Sequence, residues 1–366
     1  MDYQICTYCV MDTTDPNITF DENGRCHHCK SSEAFLKSNR LLNDKDYREK
    51  ALKTLVEEIK RKQKGSKYDC IIGVSGGVDS SYTAYRIKKL GLNPLAVHFD
   101  NGWNSELANK NIEHICDSLD IDLFTYVIDW EEFKDLQLSF LKASTPDSEI
   151  PTDHAIKSLL YQQASKWGVK YILTGQNSSS ESILPKAWSQ GHDDWRYIKN
   201  VQKEFGSVRL KSFPHRNFAK QLWDRLVYNK VQFLNYVEYD KNKAKQFLID
   251  EINWRDYGGK HHESFYTKIY QSYILPEKFG FDKRKAHLSS LIVAGQIDRE
   301  EALKELETPL YDSQELKRDI EYLLSKFDIE KEEFEDIMST EPKTYWDYPN
   351  SIGVLLKRKL KKVLKR

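Results

Sequence analysis

Two serines, two glycines and an aspartate stand close together in the segment Ser75-Gly-Gly-Val-Asp-Ser80. Glycines let a backbone turn sharply and bring its N–H groups close to a phosphate, and a following helix N-terminus adds a positive dipole. Serine hydroxyls can donate further hydrogen bonds, and the carboxylate can help to hold Mg²⁺. The segment lacks the Lys-Ser/Thr of a Walker A loop and the spacing of a dinucleotide-binding motif. We therefore predict a surface turn that binds nucleotide phosphates through Ser75, Gly76, Gly77, Asp79 and Ser80; a turn that only packs is the alternative.

Four of the six cysteines lie within the first 29 residues, as the pairs Cys6-x-x-Cys9 and Cys26-x-x-Cys29. Two C-x-x-C pairs at this spacing are typical of a Cys₄ zinc site. Such a site has no open coordination position, so its expected role is to fold a segment too small for its own core. Replacement of one cysteine by His27 or His28, redox chemistry and an iron–sulfur cluster are less favoured alternatives. Cys70 and Cys116 stand alone, and we expect both in the core.

Strands and helices must bring these residues together. Short apolar runs at residues 70–74 and 94–100 read as buried strands, with a third near 123–128 and a fourth at 170–175. Helical segments lie between them, and this alternation predicts an α/β fold with a doubly wound parallel sheet. Ligands bind such sheets at the carboxyl ends of the strands. We therefore expect one site to be built from residues 75–80, 99–103 and 175–177.

The pattern along the chain suggests five segments. We expect a zinc-binding knuckle at 1–31, a linking helix at 32–66, a nucleotide-binding domain at 67–180, a substrate-binding and mainly helical region at 181–345, and a basic amphipathic tail at 346–366. The tail carries leucines and a valine along one side of a lysine-rich helix. It could contact an acidic partner or a membrane surface, and a solvated terminal helix is an equally favoured alternative.

Charge and hydrophobicity indicate which partners and which cellular location to expect. Lys+Arg and Asp+Glu both number 56, so the formal charge is zero. Nucleic-acid-binding proteins usually carry a basic excess, so we expect no nucleic-acid partner. No apolar stretch approaches the ~20 residues that span a bilayer. The first residues lack the pattern of a signal peptide, and the unevenly placed cysteines are no secreted disulfide framework, so we expect a cytoplasmic location.

The Ser75–Ser80 segment resembles the PP-loop of the ATP pyrophosphatase superfamily. That resemblance implies cleavage of ATP between its α and β phosphates and transfer of AMP. Two further segments look like the same superfamily. One is His98-Phe-Asp-Asn-Gly102, where the backbone would cradle adenine and which makes Phe99 and Asp100 candidate ATP-binding residues. The other is Gly175-Gln-Asn177, which would complete the nucleotide pocket through Gly175 and Asn177.

The match to one family within this superfamily runs nearly end to end. Three segments, Cys6 to Pro16, Trp254 to His261 and Lys278 to Ser290, look like the N-acetyl sugar amidotransferases of O-antigen and flagellin-glycan biosynthesis. PP-loop tRNA thiolases also carry cysteine knuckles and are the alternative family. Those with this layout have further cysteines in the catalytic domain, however, whereas Cys70 and Cys116 form no pair. A nucleotide-binding zinc adaptor without turnover is the alternative from another class.

The amidotransferase resemblance implies a reaction and partners. The acetamido oxygen of a nucleotide-linked N-acetyl sugar would attack the α-phosphorus of ATP, with Mg²⁺ present, giving an O-adenylyl imidate and pyrophosphate. Ammonia would then displace AMP and leave an acetamidino group. No glutaminase nucleophile motif is recognisable in this sequence. The resemblance therefore implies a separate glutaminase subunit and a cyclase-like subunit that channels ammonia.

Polar residues of the two later family segments are the candidate substrate-side groups. Lys283 and Arg284 could neutralise the departing pyrophosphate. Glu263 or His261 could accept a proton from attacking ammonia. The expected catalytic set is Asp79, Lys260, His261, Glu263, Lys283 and Arg284, with Arg255 and His287 as further candidates.

Overall fold

One parallel β-sheet organises the chain. The computed structural model describes residues 2–256 and 263–353. Its five strands are β1 Cys70–Gly73, β2 Pro94–Asp100, β3 Asp122–Val127, β4 Tyr171–Thr174 and β5 Asn229–Gln232, and all neighbours pair in parallel in the order β3-β2-β1-β4-β5. The chain leaves β1 towards β2 and β3 on one side, and β4 and β5 lie on the other. This reversal of direction opens a crevice at the carboxyl ends of β1 and β4.

Both faces of the sheet are covered, which explains why the inner strands read as continuous apolar runs. Ile71 and Leu95 face one hydrophobic core, whereas Ile72 and Ala96 face the other. Register pairs Ile71 with Leu95 and Ile72 with Ala96, so each core receives one layer of side chains from adjacent strands. The two cores fix the strands and thereby the loops that leave their carboxyl ends.

Helices connect the strands and surround them. Those up to residue 252 are α1 His27–Ser38, α2 Arg40–Asn43, α3 Lys45–Lys62, α4 Val78–Lys89, α5 Glu106–Ser118, α6 Trp130–Lys142, α7 Ile150–Trp167, α8 Ser178–Glu181, α9 Trp195–Phe205, α10 Phe218–Val227 and α11 Lys241–Ile252. Local residue choices set their ends: Ser105 caps the start of α5 by accepting from the Ala108 N–H at 3.1 Å, and Gly168 ends α7 with a φ of +67°. A glycine there adopts the left-handed conformation without strain.

The C-terminal region is mainly helical, as expected. Its helices are α12 Phe265–Ile269, α13 Leu275–Phe279, α14 Arg284–Val293, α15 Arg299–Glu307, α16 Ser313–Phe327 and α17 Lys331–Ser339. A π-helical turn, Tyr270–Ile274, joins α12 to α13. Short 3₁₀ turns occur at Phe233–Tyr236 and Tyr345–Asp347.

The N-terminal knuckle packs against this C-terminal region. The Val10 N–H donates to Ser289 Oγ of α14 at 3.2 Å. Arg299 donates to the carbonyl oxygens of Cys9 and Cys6 at 3.1 and 3.0 Å. The knuckle and α14, almost 280 residues apart in the sequence, are thereby in direct contact.

The four strands expected from the sequence are confirmed, one expectation is wrong, and one strand was missed. The single linking helix at 32–66 is wrong, because Asn39 and Asp44 each cap a new helix and divide the segment into α1, α2 and α3. The strand β5 was not expected. It is an edge strand whose Asn229, Lys230 and Gln232 are exposed, so it carries no apolar pattern. Among the described residues, none of the helices is long and apolar enough to cross a membrane.

Candidate functional site

The Ser75–Ser80 loop joins the end of β1 to the start of α4. Gly76 has a φ of +79°, and a Cβ there would lie 2.6 Å from the Ala108 carbonyl oxygen. Only glycine therefore fits this position without a shift of α5. The Ser80 hydroxyl accepts from the Ser75 N–H at 3.2 Å and donates to the Gly77 carbonyl at 3.1 Å, which closes the turn. The loop thus presents glycine backbone at a helix N-terminus, as phosphate binding requires.

A cavity of about 430 Å³ opens beside this loop. Its walls come from the loop, from the turn after β4, from the start of α11 and from the C-terminal region. The polar and glycine residues that line it are Ser75, Gly77, Asp79, Ser80, Gly175, Gln176, Glu181, Asp240, Lys241, Asn242, Lys245, Asp256, Glu263, His287, Gln296 and Glu305. The volume suits a nucleotide-sized ligand.

The turn after β4 packs directly on the phosphate loop. A Cβ at Gly175 would lie 3.0 Å from the backbone carbonyl of Asp79, so this glycine permits the close approach. Asn177 is 3% exposed and caps α8 by accepting from the Ser180 N–H at 2.9 Å. Within the described part of the chain its Nδ2 has no hydrogen-bond partner. Gly175 therefore lines the cavity, whereas Asn177 does not, and the Asn177 Nδ2 donor is unpaired within the described residues.

The structure does not bring the side chains of Phe99 and Asp100 to the cavity. Phe99 points into the core and packs edge-on against Phe133, with ring centroids 5.8 Å apart. Asp100 accepts from the Gly102 N–H at 2.9 Å and shapes its own turn. A nucleotide role for this segment could therefore rest only on its backbone, and it stays a prediction.

Asp79 is not the exposed residue of a surface turn that the sequence predicted, because the structure partly buries it and gives it a hydrogen-bond partner. It lies in the first turn of α4, is half-buried, and accepts a hydrogen bond from the Tyr239 hydroxyl. Burial and the Asp79 charge raise the pKa of Tyr239, so the hydroxyl stays protonated and remains a donor. Trp254 Nε1 donates to the Gly76 carbonyl at 2.8 Å. Two aromatic side chains from the region after β5 therefore hold the phosphate loop, and the sequence pattern gave no role to Tyr239.

Acidic groups outnumber basic ones around the cavity. The carboxylates are those of Asp79, Glu181, Asp240, Asp256, Glu263 and Glu305, and the basic side chains are Lys241, Lys245 and His287. A polyphosphate cannot enter such a field without a counter-ion, and carboxylate oxygens are ligands that Mg²⁺ prefers. Asp79 belongs to the phosphate loop itself and is the residue that we expect to hold Mg²⁺. The donor set fits the expected magnesium.

Only some of the candidate substrate-side residues of the C-terminal region line the cavity. Glu263 and His287 line the cavity, and the His287 ring Nδ1 lies 3.1 Å from the Ser180 carbonyl. Arg255 is exposed, and Asn111 of α5 clamps its backbone N–H and carbonyl at 3.0 and 2.8 Å. Lys260 and His261 lie outside the described residues.

Arg284 does not line the cavity. Its guanidinium donates to Asp282 and to the carbonyl oxygens of Glu305, Leu306 and Thr308 at the end of α15. These carbonyls belong to the orphan acceptors of a helix C-terminus, which a cation commonly satisfies. The geometry shows a side chain that ties α14 to α15, and no contact in the described residues supports its expected pyrophosphate role.

Lys283 faces an ion cluster rather than the phosphate loop. Its Nζ lies 3.7 Å from Glu149 Oε2, and Asp147 and Asp153 belong to the same cluster at the start of α7. His192 Nε2 lies 3.1 Å from Asp147 and 3.3 Å from Asp153. The cluster joins the sheet domain to the N-terminal end of α14, one helical turn before His287.

The charges of this cluster shift the pKa of its members. Burial acts to raise the pKa of Asp147, but the hydrogen bond and charge of His192 and the charge of Lys283 lower it to about 2. Burial acts to lower the pKa of His192, and the Asp147 carboxylate raises it overall. Burial likewise opposes the charge of Lys283, yet Glu149 and Asp147 raise its pKa. Asp147, His192 and Lys283 therefore each favour the charged form of the groups that they contact.

The four knuckle cysteines form one buried cluster. Their sulfur atoms all lie within 4.8 Å of one another, with Cys6–Cys29 and Cys9–Cys26 distances of 3.8 and 3.6 Å. Tetrahedral Zn²⁺ with bonds of about 2.3 Å would place its sulfurs about 3.8 Å apart. His28 does not belong to the cluster, since its Nε2 lies 2.6 Å from Asp15. His27 Nδ1 accepts from the Thr19 N–H at 3.1 Å. The donor set fits a closed Cys₄ zinc site.

Two sequence families match this chain. Residues 263–362 match the family described as LPS biosynthesis protein WbpG-like, C-terminal domain. Residues 68–226 match the tRNA methyl transferase HUP domain, which includes the phosphate loop. The chain pairs a PP-loop domain with a WbpG-like C-terminal domain. The expected resemblance to the PP-loop superfamily and to proteins of O-antigen biosynthesis is thereby confirmed.

Several known proteins are similar to parts of this chain. An uncharacterized protein of Methanocaldococcus jannaschii is 27% identical over 70% of this chain and 80% of its own length. A tRNA-specific 2-thiouridylase of Fusobacterium nucleatum is 31% identical over 30% of this chain, which spans about a third (34%) of that enzyme. Among solved structures, an ammonia-dependent NAD synthetase of Campylobacter jejuni aligns at a TM-score of 0.28 and 20% identity, over 36% of this chain and 58% of that one.

Helix α14, which lies within the WbpG-like match, contributes to the cavity beside the phosphate loop. Its residues His287, Leu288 and Leu291 belong to the cavity lining. Tyr239, Lys241 and Lys245 also belong to the site but precede that domain and carry no recognisable motif. The sequence pattern predicted a substrate-binding region at 181–345, but no motif within it singled out these three residues.

Proposed function

We propose that this protein is an ATP-dependent, AMP-forming amidotransferase that converts the acetamido group of a nucleotide-linked N-acetyl sugar to an acetamidino group. The proposal places it in the assembly of lipopolysaccharide O-antigen or of related glycans. Ammonia would come from a separate glutaminase through a cyclase-like subunit. No nucleic acid takes part.

The observation that carries this proposal is the composition of the cavity wall. The lining includes Ser75, Asp79 and Ser80 of the PP-loop together with His287 and Leu291 of α14, which belongs to the WbpG-like domain. A nucleotide held by the loop would therefore lie in the same cavity as α14. The WbpG-like domain matches proteins of LPS biosynthesis, so its part of the lining is the natural place for a sugar acceptor.

The residues of the cavity suit the two half-reactions. The loop amides, Ser75 and Ser80 would hold the β and γ phosphates, and Asp79 would hold Mg²⁺. The amide oxygen of the sugar forms a bond to the α-phosphorus while the bond to pyrophosphate breaks. Ammonia then attacks the imidate carbon, the C–O bond breaks, and AMP leaves with the former amide oxygen. Glu263 or His287 could accept the ammonia proton. Lys241 lines the cavity, whereas Lys283 and Arg284 do not. We therefore assign to Lys241 the neutralisation of the departing pyrophosphate.

The cysteines argue against the rival function, sulfur transfer to tRNA. Persulfide chemistry needs a reactive thiolate at the nucleotide site. Cys70 and Cys116 are 0% and 2% exposed in one core of the sheet, and burial raises the pKa of the Cys116 thiol to about 12. The other four belong to the knuckle cluster, and none of the six lines the cavity as far as the structure describes it. The rival draws its support from the HUP-domain match and the thiouridylase relative.

One assay separates the two functions. The purified chain is incubated with ATP, Mg²⁺ and high ammonium at alkaline pH, where free NH₃ replaces the glutaminase partner. With a nucleotide-linked N-acetyl sugar we expect AMP, pyrophosphate and a basic product lighter by the difference between O and NH. Glutamine alone should give no product. AMP release that depends on tRNA and a sulfur donor, and not on an acetamido sugar, would establish the rival function instead.

A further inference from the structure

Helix α10 has its polar side inside and its apolar side outside. Gln221 and Asp224 are 8% and 2% exposed on its inner side. Gln221 Nε2 donates to the carbonyl oxygens of Asp193 and Arg216 at 2.6 and 2.9 Å. The Asp224 carboxylate pairs with Arg216 Nε at 2.8 Å. Polar contacts, rather than an apolar stripe, therefore attach this helix to the protein.

The outer side carries four large apolar side chains. Phe218, Leu222, Trp223 and Leu226 are exposed by 60, 53, 64 and 77%. On a helix that advances about 100° per residue they cover an arc of about 140°. Together they expose on the order of 500 Å², a contiguous patch that in soluble proteins marks an interaction surface. An amphipathic helix normally turns such a face inward, so the exposed face of α10 needs a covering partner.

Cations border this face on both sides. On the same helical projection Arg225 lies just before Phe218 and Lys220 lies beyond Trp223. Throughout residues 205–237, all of which the structure describes, the exposed Lys, Arg, Asp and Glu side chains are basic: Arg209, Lys211, Lys220, Arg225 and Lys230. The one acid of this stretch, Asp224, is buried against Arg216. The exposed charged side chains of α10 itself are therefore both basic, and they lie on either side of the apolar face.

We propose that α10 is a membrane-surface helix that binds an anionic lipid bilayer. Phe218, Leu222 and Leu226 enter the boundary between headgroups and acyl chains, Trp223 lies at the headgroup level, and Lys220 and Arg225 reach lipid phosphates. Phenylalanine, leucine and tryptophan beside lysine and arginine are the composition of interfacial helices. This proposal is independent of the proposed reaction, because none of these residues lines the nucleotide cavity.

Two other occupants fit less well. A second copy of the chain would bring two basic borders together, and lysine is depleted in protein interfaces. Nucleic acid would use the cations and could stack on Trp223, but two exposed leucines contribute nothing to phosphate contacts or base stacking. An anionic lipid surface uses the apolar face and its basic border at once.

Vesicle sedimentation of the full chain tests the proposal. We expect binding to phosphatidylcholine vesicles that contain about 30% phosphatidylglycerol, and weak binding to pure phosphatidylcholine. The double variant Trp223→Ser, Leu226→Ser should bind about tenfold or more weakly. Lys220→Glu with Arg225→Glu should lose the preference for the anionic vesicles. Trp346→Ser is the matched control, because Trp346 is also exposed, by 53%, but lies outside α10. Circular dichroism checks that each variant is folded.

Three results would overturn the proposal. If the Trp223/Leu226 double variant sediments like the unaltered chain, the membrane contact lies elsewhere. If the unaltered chain does not bind anionic vesicles but forms a dimer that the double variant separates, the face belongs to a second copy. Binding of tRNA that requires Trp223, without vesicle binding, would assign the face to nucleic acid.

Discussion

Asp79 combines a position at the start of α4, in the loop that we expect to bind phosphate, with a proposed role as magnesium ligand and a hydrogen bond to Tyr239. A change to alanine would remove the charge and also leave a buried hydroxyl without its acceptor, which has its own cost. A change to asparagine keeps an acceptor for Tyr239 and removes only the charge.

We therefore predict that Asp79→Asn retains the fold and loses AMP formation by a factor of about 100 to 1,000, because a positioned charge at the transferring phosphate is lost. AMP and pyrophosphate release measured beside thermal unfolding checks this. Tyr239→Phe is the matched control, since it removes the partner and keeps the carboxylate, and it should reduce the rate much less. Equal losses in both variants would show that Asp79 acts only through packing.

Asp147 gives a prediction about pH. Its pKa falls from an ordinary value of 3.8 to about 2 in the folded chain. A lowered carboxylate pKa stabilises the fold above the unfolded pKa, and this contribution is lost as the pH falls towards the folded pKa. Asp147→Asn should therefore lower the free energy of unfolding by about 2 kcal/mol at neutral pH. The gap to the unaltered chain should narrow below about pH 4.

Urea unfolding as a function of pH measures this difference. Asp193→Asn is the matched control, because Asp193 is 57% exposed and pairs with Lys157 at 3.3 Å. An exposed ion pair contributes about 0 to 1 kcal/mol, so the control variant should lower the free energy of unfolding by much less than Asp147→Asn. A gap for Asp147→Asn that does not depend on pH would contradict the account of the ion cluster.

At the scale of elements, α14 is the part that connects the sites. Its N-terminal end meets the ion cluster through Lys283, its middle lines the cavity through His287, and Ser289 holds the knuckle. Lys285 pairs with Asp12 of the knuckle. The knuckle therefore contacts a helix that lines the cavity, although none of the knuckle cysteines lines the cavity itself.

We predict that the chain binds one zinc and that loss of the metal loosens α14. Cys6→Ser with Cys26→Ser should lose the metal, measured by elemental analysis, because a Cys₄ site needs all four thiolates. Amide exchange of residues 284–293 should then become faster. Lys285→Ala is the companion variant and should retain zinc while it weakens the contact with Asp12. Unchanged exchange in α14 after metal loss would show that the knuckle folds independently of the site.

The sequence predicted the elements whose signals are local. The strands β1 to β4 are short apolar runs between helices, and the phosphate loop and the C-x-x-C pairs are contiguous motifs. β5 could not be found, because an exposed edge strand such as Asn229–Gln232 lacks the apolar pattern. Arg284 and Lys283 were expected at the phosphates because they are cations in a family segment. Their contacts with α15 and Glu149 depend on tertiary packing, which no local pattern contains.

At the scale of the whole molecule, loops of the sheet and residues of the WbpG-like domain line one cavity. The reversal of strand order places the loop after β1 beside the turn after β4, and Gly175 allows their contact. Residues of α14 in the C-terminal domain line the same cavity. Under the proposed function, the PP-loop would bind the nucleotide and the C-terminal domain would select the acceptor.

The most direct test follows the acetamido oxygen itself. A nucleotide-linked N-acetyl sugar labelled with oxygen-18 in the acetamido carbonyl is incubated with the chain, ATP, Mg²⁺ and ammonium at alkaline pH. If that oxygen attacks the α-phosphorus, the label must leave with the phosphate, so mass spectrometry should find it in AMP and not in the sugar. AMP without the label, or a sugar that keeps it, would contradict the proposed adenylation of the amide.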